Sequence, residues 1–180
     1  MKKNKILLIS FLIIFVAENI SSQNLEHLKL EKGFKATIFA TNLDAPRQMV
    51  EGKNGTIFVG ERGGQILALI DSDLNGQVDS KIIIAKDLKY STGVSMFNGD
   101  LYFSEISKVW KIENIEQWIS NYNMDESLPN KILVLDDLPN DQWHGWKWLK
   151  HDQEGSLYFN IGAPCNICLS KNPQYASILK

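Results

Sequence analysis

The feature that most restricts the fold of this chain is a short β-rich pattern that occurs three times. The pattern is a glycine, any residue, Ile or Leu, an aromatic residue, and Val or Phe. It occupies residues 55–59, 99–103 and 155–159. The intervals between the copies are close to the length of a four-stranded propeller blade. We therefore expect the three copies to be the same strand of successive structural repeats.

The first repeat contains four β-rich runs separated by turn residues. These runs are Arg47–Val50, Thr56–Arg62, Gln65–Ile70 and Lys81–Ala85, which we call strands A, B, C and D of a blade. Gly63-Gly64 predicts a tight hairpin between B and C. Short strands at this spacing predict an all-β chain with the β-propeller fold. An ordinary β-sandwich is the alternative.

The second repeat is longer than the first, and its composition suggests why. Residues Ile115–Ile119 predict a short inserted helix before strand character resumes at Lys131–Asp136. Another strand is predicted at Ala176–Lys180. Residues 23–180 supply about three blades, whereas closed propellers have roughly 4–8. We therefore expect the N-terminal part of a longer propeller domain, truncated within its third blade.

Residues 1–22 have the pattern of a secretory signal peptide. Three lysines precede the apolar run Ile6–Val16, and the small residues Ser21 and Ser22 follow it. This run is shorter than the ~20 residues that a membrane-spanning helix needs. An uncleaved anchor is the alternative. We expect residues 23–180 to be periplasmic or secreted, with no stable membrane insertion after cleavage.

Composition and charge restrict the partners of the chain. It is 44% hydrophobic and 22% charged, which is typical of a globular protein rather than a disordered one. Its formal charge is −2, and its 19 Lys and Arg residues form no basic block. Nucleic acid is therefore not an expected partner.

Cys165 and Cys168 are the two cysteines, in the sequence C-N-I-C. In an exported protein this pair favours a disulfide that closes a loop. The same spacing also occurs in redox-active pairs and in zinc sites, but the chain has no second such pair and no βαβ pattern around this one.

Antiparallel strand order predicts which polar residues lie at one end of the blades. The start of strand A and the end of strand B share that end, and strand A lines the propeller axis. The residues predicted there are Arg47, Gln48, Glu61, Arg62, Ser91, Thr92, Glu105, His144 and Asn160. They are candidates for a pocket that binds a polar, oxygen-rich ligand. The alternative is structural: Arg62 and Glu105 would form ion pairs between blades, and Arg47 would anchor a loop.

His144 is the candidate catalytic residue. Trp143, Trp146 and Trp148 flank it in sequence, so we expect an imidazole partly shielded from water, neutral near pH 7 and available as a base. Trp146 is also a candidate for the pocket. A purely structural, hydrogen-bonded histidine is the alternative.

Residues 71–79 resemble the start of a calcium-binding loop. Asp71, Asp73, Asn75 and Asp79 supply closely spaced oxygens, but Ile82 occupies the position of the usual bidentate Glu. An Asn-Gly turn explains Asn75-Gly76 without a metal. Any calcium here is expected to be structural, because this turn belongs to the end opposite His144.

Four stretches of the chain together resemble the glucose/sorbosone dehydrogenase family, and within it the L-sorbosone dehydrogenase-like branch. They are GFKATIFATNLDAPRQM at 33–49, NGTIFVGERGGQILAL at 54–69, HGWKWL at 144–149 and GSLYFNIGAPCNIC at 155–168. The resemblance implies a six-bladed propeller that oxidises sugars or related polyols and aldehydes with pyrroloquinoline quinone (PQQ) and calcium.

The resemblance also implies a role for His144. In the soluble glucose-oxidising members, the matching histidine removes the hydroxyl proton while hydride passes to the quinone. Trp143 stands where those members have an acidic residue. The family residues that hold the quinone carboxylates and the calcium lie in later blades.

Two other functions fit the same predicted fold. The three tryptophans near His144 suit a non-catalytic propeller that binds carbohydrate or a protein. A metal-dependent lactonase would require carboxylate and amide ligands that converge at the axis, for which Glu61, Glu105 and Asn160 are the candidates.

Overall fold

A computed structural model describes residues 25–124 and 127–180. The chain divides into two compact units, Met1–Thr37 and Ile38–Lys180. The described part of the first unit contains turns and no strand. The predicted signal peptide, residues 1–22, lies outside the described residues. Among the residues that are described, no helix is both long enough and apolar enough to cross a membrane.

The second unit contains eleven strands and one short helix among its described residues. They are β1 (Pro46–Glu51), β2 (Ile57–Glu61), β3 (Gln65–Ile70), β4 (Ser80–Ala85), β5 (Val94–Phe97), β6 (Asp100–Ser104), β7 (Val109–Ile112), α1 (Ile115–Ser120), β8 (Ile132–Leu135), β9 (Leu149–His151), β10 (Leu157–Ile161) and β11 (Ser177–Leu179).

The strands form three antiparallel sheets in sequence order. Their orders are β1-β2-β3-β4, β5-β6-β7-β8 and β9-β10-β11. The three copies of the repeated pattern contribute β2, β6 and β10, the second strand of each sheet. The predicted helix and the predicted strands of the first blade are confirmed to within one or two residues at each end. The all-β propeller prediction is also confirmed, and each sheet is one blade.

The innermost strands lie side by side, as the propeller arrangement requires. β5 contacts β1 on one side and β9 on the other. Apolar side chains fill the space between neighbouring sheets. Phe58 and Ile66 of the first sheet share one core cluster with Leu101 and Phe103 of the second. A second cluster joins Val109 to the third sheet. Burial of this apolar surface stabilises the stacking of the blades.

Gln48 links the innermost strands of all three sheets. Its side chain is buried, and its Nε2 donates to the backbone oxygen of Leu149 at 2.7 Å. Its Oε1 accepts from the backbone nitrogens of Val94 at 3.2 Å and Leu149 at 2.9 Å. Because an unpaired buried polar group is costly, these bonds make Gln48 a structural link between the blades.

The first and second sheets approach closely at Gly60. A Cβ atom at this position would overlap the backbone oxygens of Thr92 and Ser91. Only glycine allows this approach. It brings the end of β2 next to the segment that leads into β5, and so places Arg62 near Thr92 at one end of the sheets.

Candidate functional site

The segment 144–148, which leads into β9, forms the centre of the candidate site. Its sequence is HGWKW, and buried and exposed residues alternate along it. The indole of Trp146 lies between two cavities and contributes to both. Both cavities are at the end of the sheets where β1, β5 and β9 begin.

The first cavity has a volume of about 370 Å³. Its lining consists of Arg62, Tyr90, Gln142, Trp143, His144 and Trp146. The Arg62 guanidinium lies 4.7 Å from the centre of the Trp146 ring and 5.4 Å from that of Tyr90. These cation–π contacts hold the charge of Arg62 at the wall of the cavity.

The second cavity has a volume of about 310 Å³. Its lining consists of Arg47, Gln48, Thr92, Trp146, Lys147, Trp148 and Asn160. The Arg47 guanidinium lies 5.6 Å from the centre of the Trp146 ring. Arg47 and Arg62 therefore both contact the same indole. Two cations close to one ring, each exposed to a cavity, favour an anionic ligand.

His144 has a defined tautomer in its neutral form. Its Nδ1 lies 3.0 Å from the backbone oxygen of Ala163. Because a carbonyl oxygen can only accept, Nδ1 carries the proton, and Nε2 of the neutral ring has a free lone pair. No described residue forms a hydrogen bond with Nε2. The geometry thus provides a proton acceptor at the wall of the first cavity.

The surroundings of His144 differ from the expectation in one respect. The residue is exposed, so the tryptophans do not shield the imidazole from water. The ring of Trp143 is centred 6.4 Å from the imidazole, and Trp148 lines the other cavity. The expected shielding is therefore wrong for the described structure, because Trp143 and Trp146 line the first cavity beside His144 without covering its side chain.

Asn160, at the end of β10, holds the backbone of the 144–148 segment. Its Nδ2 donates to the backbone oxygen of Trp146 at 2.9 Å, and its Oδ1 accepts from the backbone nitrogen of Trp148 at 2.6 Å. The amide thus positions Trp146 as well as lining the second cavity.

Lys147 is a buried cation that the sequence did not identify as functional. Only 4% of its surface is exposed, and its Nζ donates to the backbone oxygen of Gly145 at 2.7 Å. Burial lowers its pKa to about 8, because desolvation disfavours the charged form. None of Arg47, Arg62 and Lys147 has a carboxylate within 4 Å among the described residues.

The other predicted pocket residues have structural partners. The Oγ of Ser91 donates to the backbone oxygens of Glu61 and Gln65, and Oγ1 of Thr92 donates to that of Lys147. Burial raises the pKa of Glu61, whose carboxylate accepts from the backbone nitrogen of Asp44 at 2.7 Å.

Glu105 lines neither cavity, contrary to its selection as a pocket candidate. Its carboxylate accepts from Nε1 of Trp110 and from the backbone nitrogen of Lys89, both at 2.8 Å. Trp110 is in β7 of the same sheet, and Lys89 is in the segment that connects β4 to β5. In the described chain Glu105 forms no ion pair with Arg62, so the alternative of an ion pair between blades is also wrong.

The predicted calcium loop connects β3 to β4 at the end opposite His144. Oxygen atoms of Asp71, Asp73 and Asp79 lie within 4.8 Å of one another. The carboxylate of Asp71 accepts from the backbone nitrogens of Asn75 and Gly76, at 3.1 and 2.8 Å. The hydroxyl and the backbone nitrogen of Ser72 both donate to the carboxylate of Asp79, and these hydrogen bonds lower the pKa of Asp79. Calcium binding by this loop stays a prediction.

These three aspartates are the one group of acidic, His or Cys residues in the described ranges that is close enough to hold a metal. Glu61, Glu105 and Asn160 do not converge, because each is held by different backbone or indole groups. The structure thus gives no support to a lactonase metal centre at the axis.

Cys165 and Cys168 are joined by a disulfide in the loop after β10. Ala163, whose backbone oxygen accepts from His144, lies in the same loop two residues before the first cysteine. The two family-like motifs around His144 and around the cysteines are therefore in direct contact.

Five lining residues were not identified as pocket candidates from the sequence: Tyr90, Gln142, Trp143, Lys147 and Trp148. Gln142 and Lys147 flank His144 within the short 142–147 stretch, so proximity in sequence was an available signal. Tyr90 required knowledge of the fold, since it lies in no motif of its own.

No protein-family model matches the chain. A search of curated proteins finds an uncharacterised protein of Borreliella burgdorferi that is 30% identical over 160 residues. The match covers 86% of this chain and 40% of that protein. The chain thus spans less than half the length of this relative.

Two solved structures share the fold. One is a carbohydrate-active enzyme of family AA12 from Trichoderma reesei, with a TM-score of 0.58, 19% identity, and coverage of 72% of this chain and 33% of that one. The other is the holo form of the PQQ domain of a pyranose dehydrogenase from Coprinopsis cinerea. Its TM-score is 0.54 and its identity 19%, with coverage of 69% and 29%. At this identity the similarity shows the fold, which this chain shares with a part of each of these two structures.

Proposed function

We propose that this chain belongs to a PQQ-dependent oxidoreductase of the glucose/sorbosone dehydrogenase type. Its substrate is a sugar, sorbosone or a related polyol or aldehyde, and His144 is the base that accepts the substrate's hydroxyl proton. The fold shared with the PQQ domain of a pyranose dehydrogenase supports this proposal. The four stretches that resemble the family support it independently.

One observation carries the proposal. His144 donates from Nδ1 to Ala163, so that its Nε2 is the proton acceptor at the wall of the first cavity. A hydroxyl group within hydrogen-bond reach of Nε2 would transfer its proton to this nitrogen as the C–H bond breaks. Such general-base assistance contributes roughly 10²–10⁴-fold to the rate.

The described residues fit the quinone. PQQ is a planar ring system with three carboxylates, and it supplies the hydride-accepting chemistry when it is bound. Arg47, Arg62 and Lys147 offer positive charge with no carboxylate within 4 Å in the described part of the chain, and Trp146 offers an aromatic face between them. Charge-assisted hydrogen bonds from these cations would add to those from the carboxylate-binding residues that the resemblance places in later blades. The cations are thus assigned to binding and His144 to proton transfer.

The described residues at this end do not fit a calcium ion. Calcium requires several converging oxygen ligands, and the nearby carboxylates of Glu61 and Glu105 are engaged by backbone and indole N–H groups. We therefore assign no step to calcium. The acidic β3–β4 turn, at the far end of the blades, is too distant to act on a substrate beside His144.

The test compares His144→Gln with His27→Gln in the full-length protein reconstituted with PQQ and calcium. Reduction of a redox dye is measured with a panel of aldoses, polyols and sorbosone. We expect His144→Gln to lower turnover by about 10²–10⁴-fold while PQQ binding, measured by fluorescence quenching, is retained. His27 lies in the other unit and is exposed, so its substitution should leave turnover unchanged. Full turnover by His144→Gln would refute the assigned role.

A non-catalytic propeller that binds carbohydrate is the second candidate. The exposed indoles of Trp143 and Trp148 favour it, with 67% and 61% of their surfaces exposed beside the cavities. Flat aromatic faces suit sugar rings. Calorimetry with aldoses in the presence and absence of PQQ separates the two functions. Sugar affinity that is independent of PQQ, with no dye reduction, would support the second candidate.

We also propose that the protein is exported. The signal-like pattern of residues 1–22 and the Cys165–Cys168 disulfide both support an oxidising compartment. Cell fractionation of the host with an antibody against the protein tests this. Retention of an uncleaved protein in the cytoplasm would contradict it.

A further inference from the structure

His144 is held in place by the loop that follows β10. Two contacts join them: Nδ1 of His144 donates to the backbone oxygen of Ala163, and Gly162 packs against the backbone of His144. A Cβ atom on Gly162 would overlap the backbone oxygen of His144, so the approach requires glycine. His144 itself has a φ of 52°, a conformation that residues other than glycine adopt rarely.

The same loop is closed by the disulfide immediately afterwards. Only Pro164 separates Ala163 from Cys165, and the bond to Cys168 closes a short ring. This ring has no regular secondary structure and buries little surface, since 96% of Ile167 is exposed. Packing therefore contributes little to its order. The covalent link is the main restriction on its conformation.

We propose that the disulfide-closed loop 162–168 is a positioning element for His144. It holds the Ala163 carbonyl opposite Nδ1, which fixes the proton on that nitrogen and leaves Nε2 as the acceptor at the first cavity. The consequence for catalysis rests on the proposed function. The effect on the tautomer does not.

Reduction of the disulfide should release this constraint. Dithiothreitol transfers two electrons and two protons to the disulfide, which becomes two thiols, while the reagent closes to a cyclic disulfide. Residues 164–168 then gain conformational freedom, and the carbonyl of Ala163 is no longer held opposite the ring. The neutral imidazole will then populate both tautomers, so that Nε2 carries the proton for part of the time.

The test uses nitrogen NMR of the full-length protein labelled with ¹⁵N-histidine, at a pH of about 9, where histidine side chains in general are neutral. In the oxidised protein we expect well-separated signals for a protonated Nδ1 and an unprotonated Nε2. In the reduced protein and in Cys165→Ser/Cys168→Ser, the two signals should move toward each other. His151 is the internal reference, because its Nδ1 lies 2.9 Å from Ser95 Oγ at the other end of the blade.

Two further variants control the experiment. Ile167→Ala lies inside the ring, is exposed, and should retain the oxidised pattern. Gly162→Ala keeps the disulfide but displaces the His144 backbone, so it should alter the His144 signals while those of His151 stay unchanged. Unchanged His144 signals in the reduced protein and in Gly162→Ala would overturn the proposal, even if the double cysteine variant does not fold.

Turnover provides a separate measurement. If the proposed function is correct, reduction should lower kcat by up to about 100-fold with little change in KM, because the base is misplaced but the binding residues are not. A tautomer change without any dye reduction activity would leave the positioning role intact and refute only the proposed function.

Discussion

The charged side chains at the two ends of the sheets differ in their partners. At the end with His144, the cations Arg47 and Arg62 lie against Trp146 and line cavities, and Lys147 is buried beside them. None of the three has a carboxylate within 4 Å among the described residues. Their charges are therefore available to a ligand.

At the opposite end, the acidic groups are engaged by their own turns. Asp71 and Asp79 accept from backbone nitrogens within the β3–β4 turn. Asp152 accepts from the backbone nitrogens of Glu154 and Ser156 in the β9–β10 turn, which lowers its pKa. Carboxylates held in this way shape turns.

The comparison separates a candidate ligand-binding end from a structural end of the same three sheets. Substitutions of the uncompensated cations should change ligand binding more than folding. Substitutions at the acidic turns should affect stability slightly and binding not at all. Gln48 is the exception at the His144 end, because its polar atoms are already paired inside the protein.

The largest change in stability is expected for Gln48→Ala, which tests whether Gln48 is a structural link rather than a ligand-binding residue. The substitution leaves backbone groups of Val94 and Leu149 buried without partners, so the free energy of unfolding should fall by ~3 kcal/mol or more. Urea denaturation measures this. Gln117→Ala on the exposed face of α1 is the control and should change stability by less than ~0.5 kcal/mol. Equal stabilities of the two variants would show that Gln48 is not a structural link.

Lys147→Met tests whether the buried charge of Lys147 destabilises the folded protein when no ligand is bound. The drop in pKa from 10.5 to about 8 corresponds to ~3 kcal/mol of desolvation penalty, and the bond to Gly145 offsets ~1 kcal/mol. The variant without ligand should therefore be more stable at pH 7 by ~2 kcal/mol. A control, Lys150→Met, replaces an exposed lysine of β9 and should have little effect.

The same lysine predicts a pH dependence of stability. Between pH 8 and 10.5 the unfolded chain binds more protons than the folded one, so the stability of the unliganded protein should rise with pH through this window. Lys147→Met should lose this rise. Thermal melts across the window measure it, and a variant with an unchanged slope would show that another group is responsible.

Arg62→Gln tests the binding role of the His144 end. Loss of one charge-assisted contact is expected to weaken PQQ binding by roughly tenfold, or ~1.4 kcal/mol. Folding should be little affected, because the Arg62 side chain is exposed and its guanidinium lies over the rings of Tyr90 and Trp146. Fluorescence titration measures the affinity. Lys108→Gln, at a cation that contacts Trp110 away from the cavities, is the control.

The smallest change in stability is expected for Asp79→Asn, at the end opposite His144. The carboxylate accepts from the backbone nitrogen and the Oγ of Ser72, which lowers its pKa. This contribution to stability is present above the ordinary pKa of 3.8 and is lost as the pH falls through the lower folded value. The variant should be slightly less stable at pH 7, similar to wild type in strong acid, and unchanged in turnover. A loss of turnover would contradict the division between the two ends.

Much of the fold was predictable because its signals are local. The repeated glycine-led pattern identified β2, β6 and β10, and the turn residues between them delimited the strands. Strand order then placed Arg47, Thr92 and His144 at one end, where they line adjacent cavities. The periodicity of a strand depends on neighbouring residues, and so a sequence alone can reveal it.

The environments of individual side chains were less predictable. Gln48 and Glu105 were both selected as pocket residues, yet Gln48 links three blades, and Glu105 is held by Trp110 and by the backbone of the β4–β5 connection. The exposure of His144 was contrary to the prediction, and the burial of Lys147 was not predicted at all. These properties depend on which loops meet across the blades, and the local pattern does not contain that information.

By itself, the sequence of this protein determined an all-β chain of successive blades and the end at which polar residues collect. Only the tertiary structure decided that the carbonyl of Ala163 meets Nδ1 of His144, and that Lys147 is buried with no carboxylate within 4 Å in residues 25–124 and 127–180. The physical reason is the distance along the chain between the groups that determine each property. Strands and turns follow from contacts between close neighbours, whereas the tautomer of a histidine and the pKa of a lysine depend on groups brought together by the packing of whole blades.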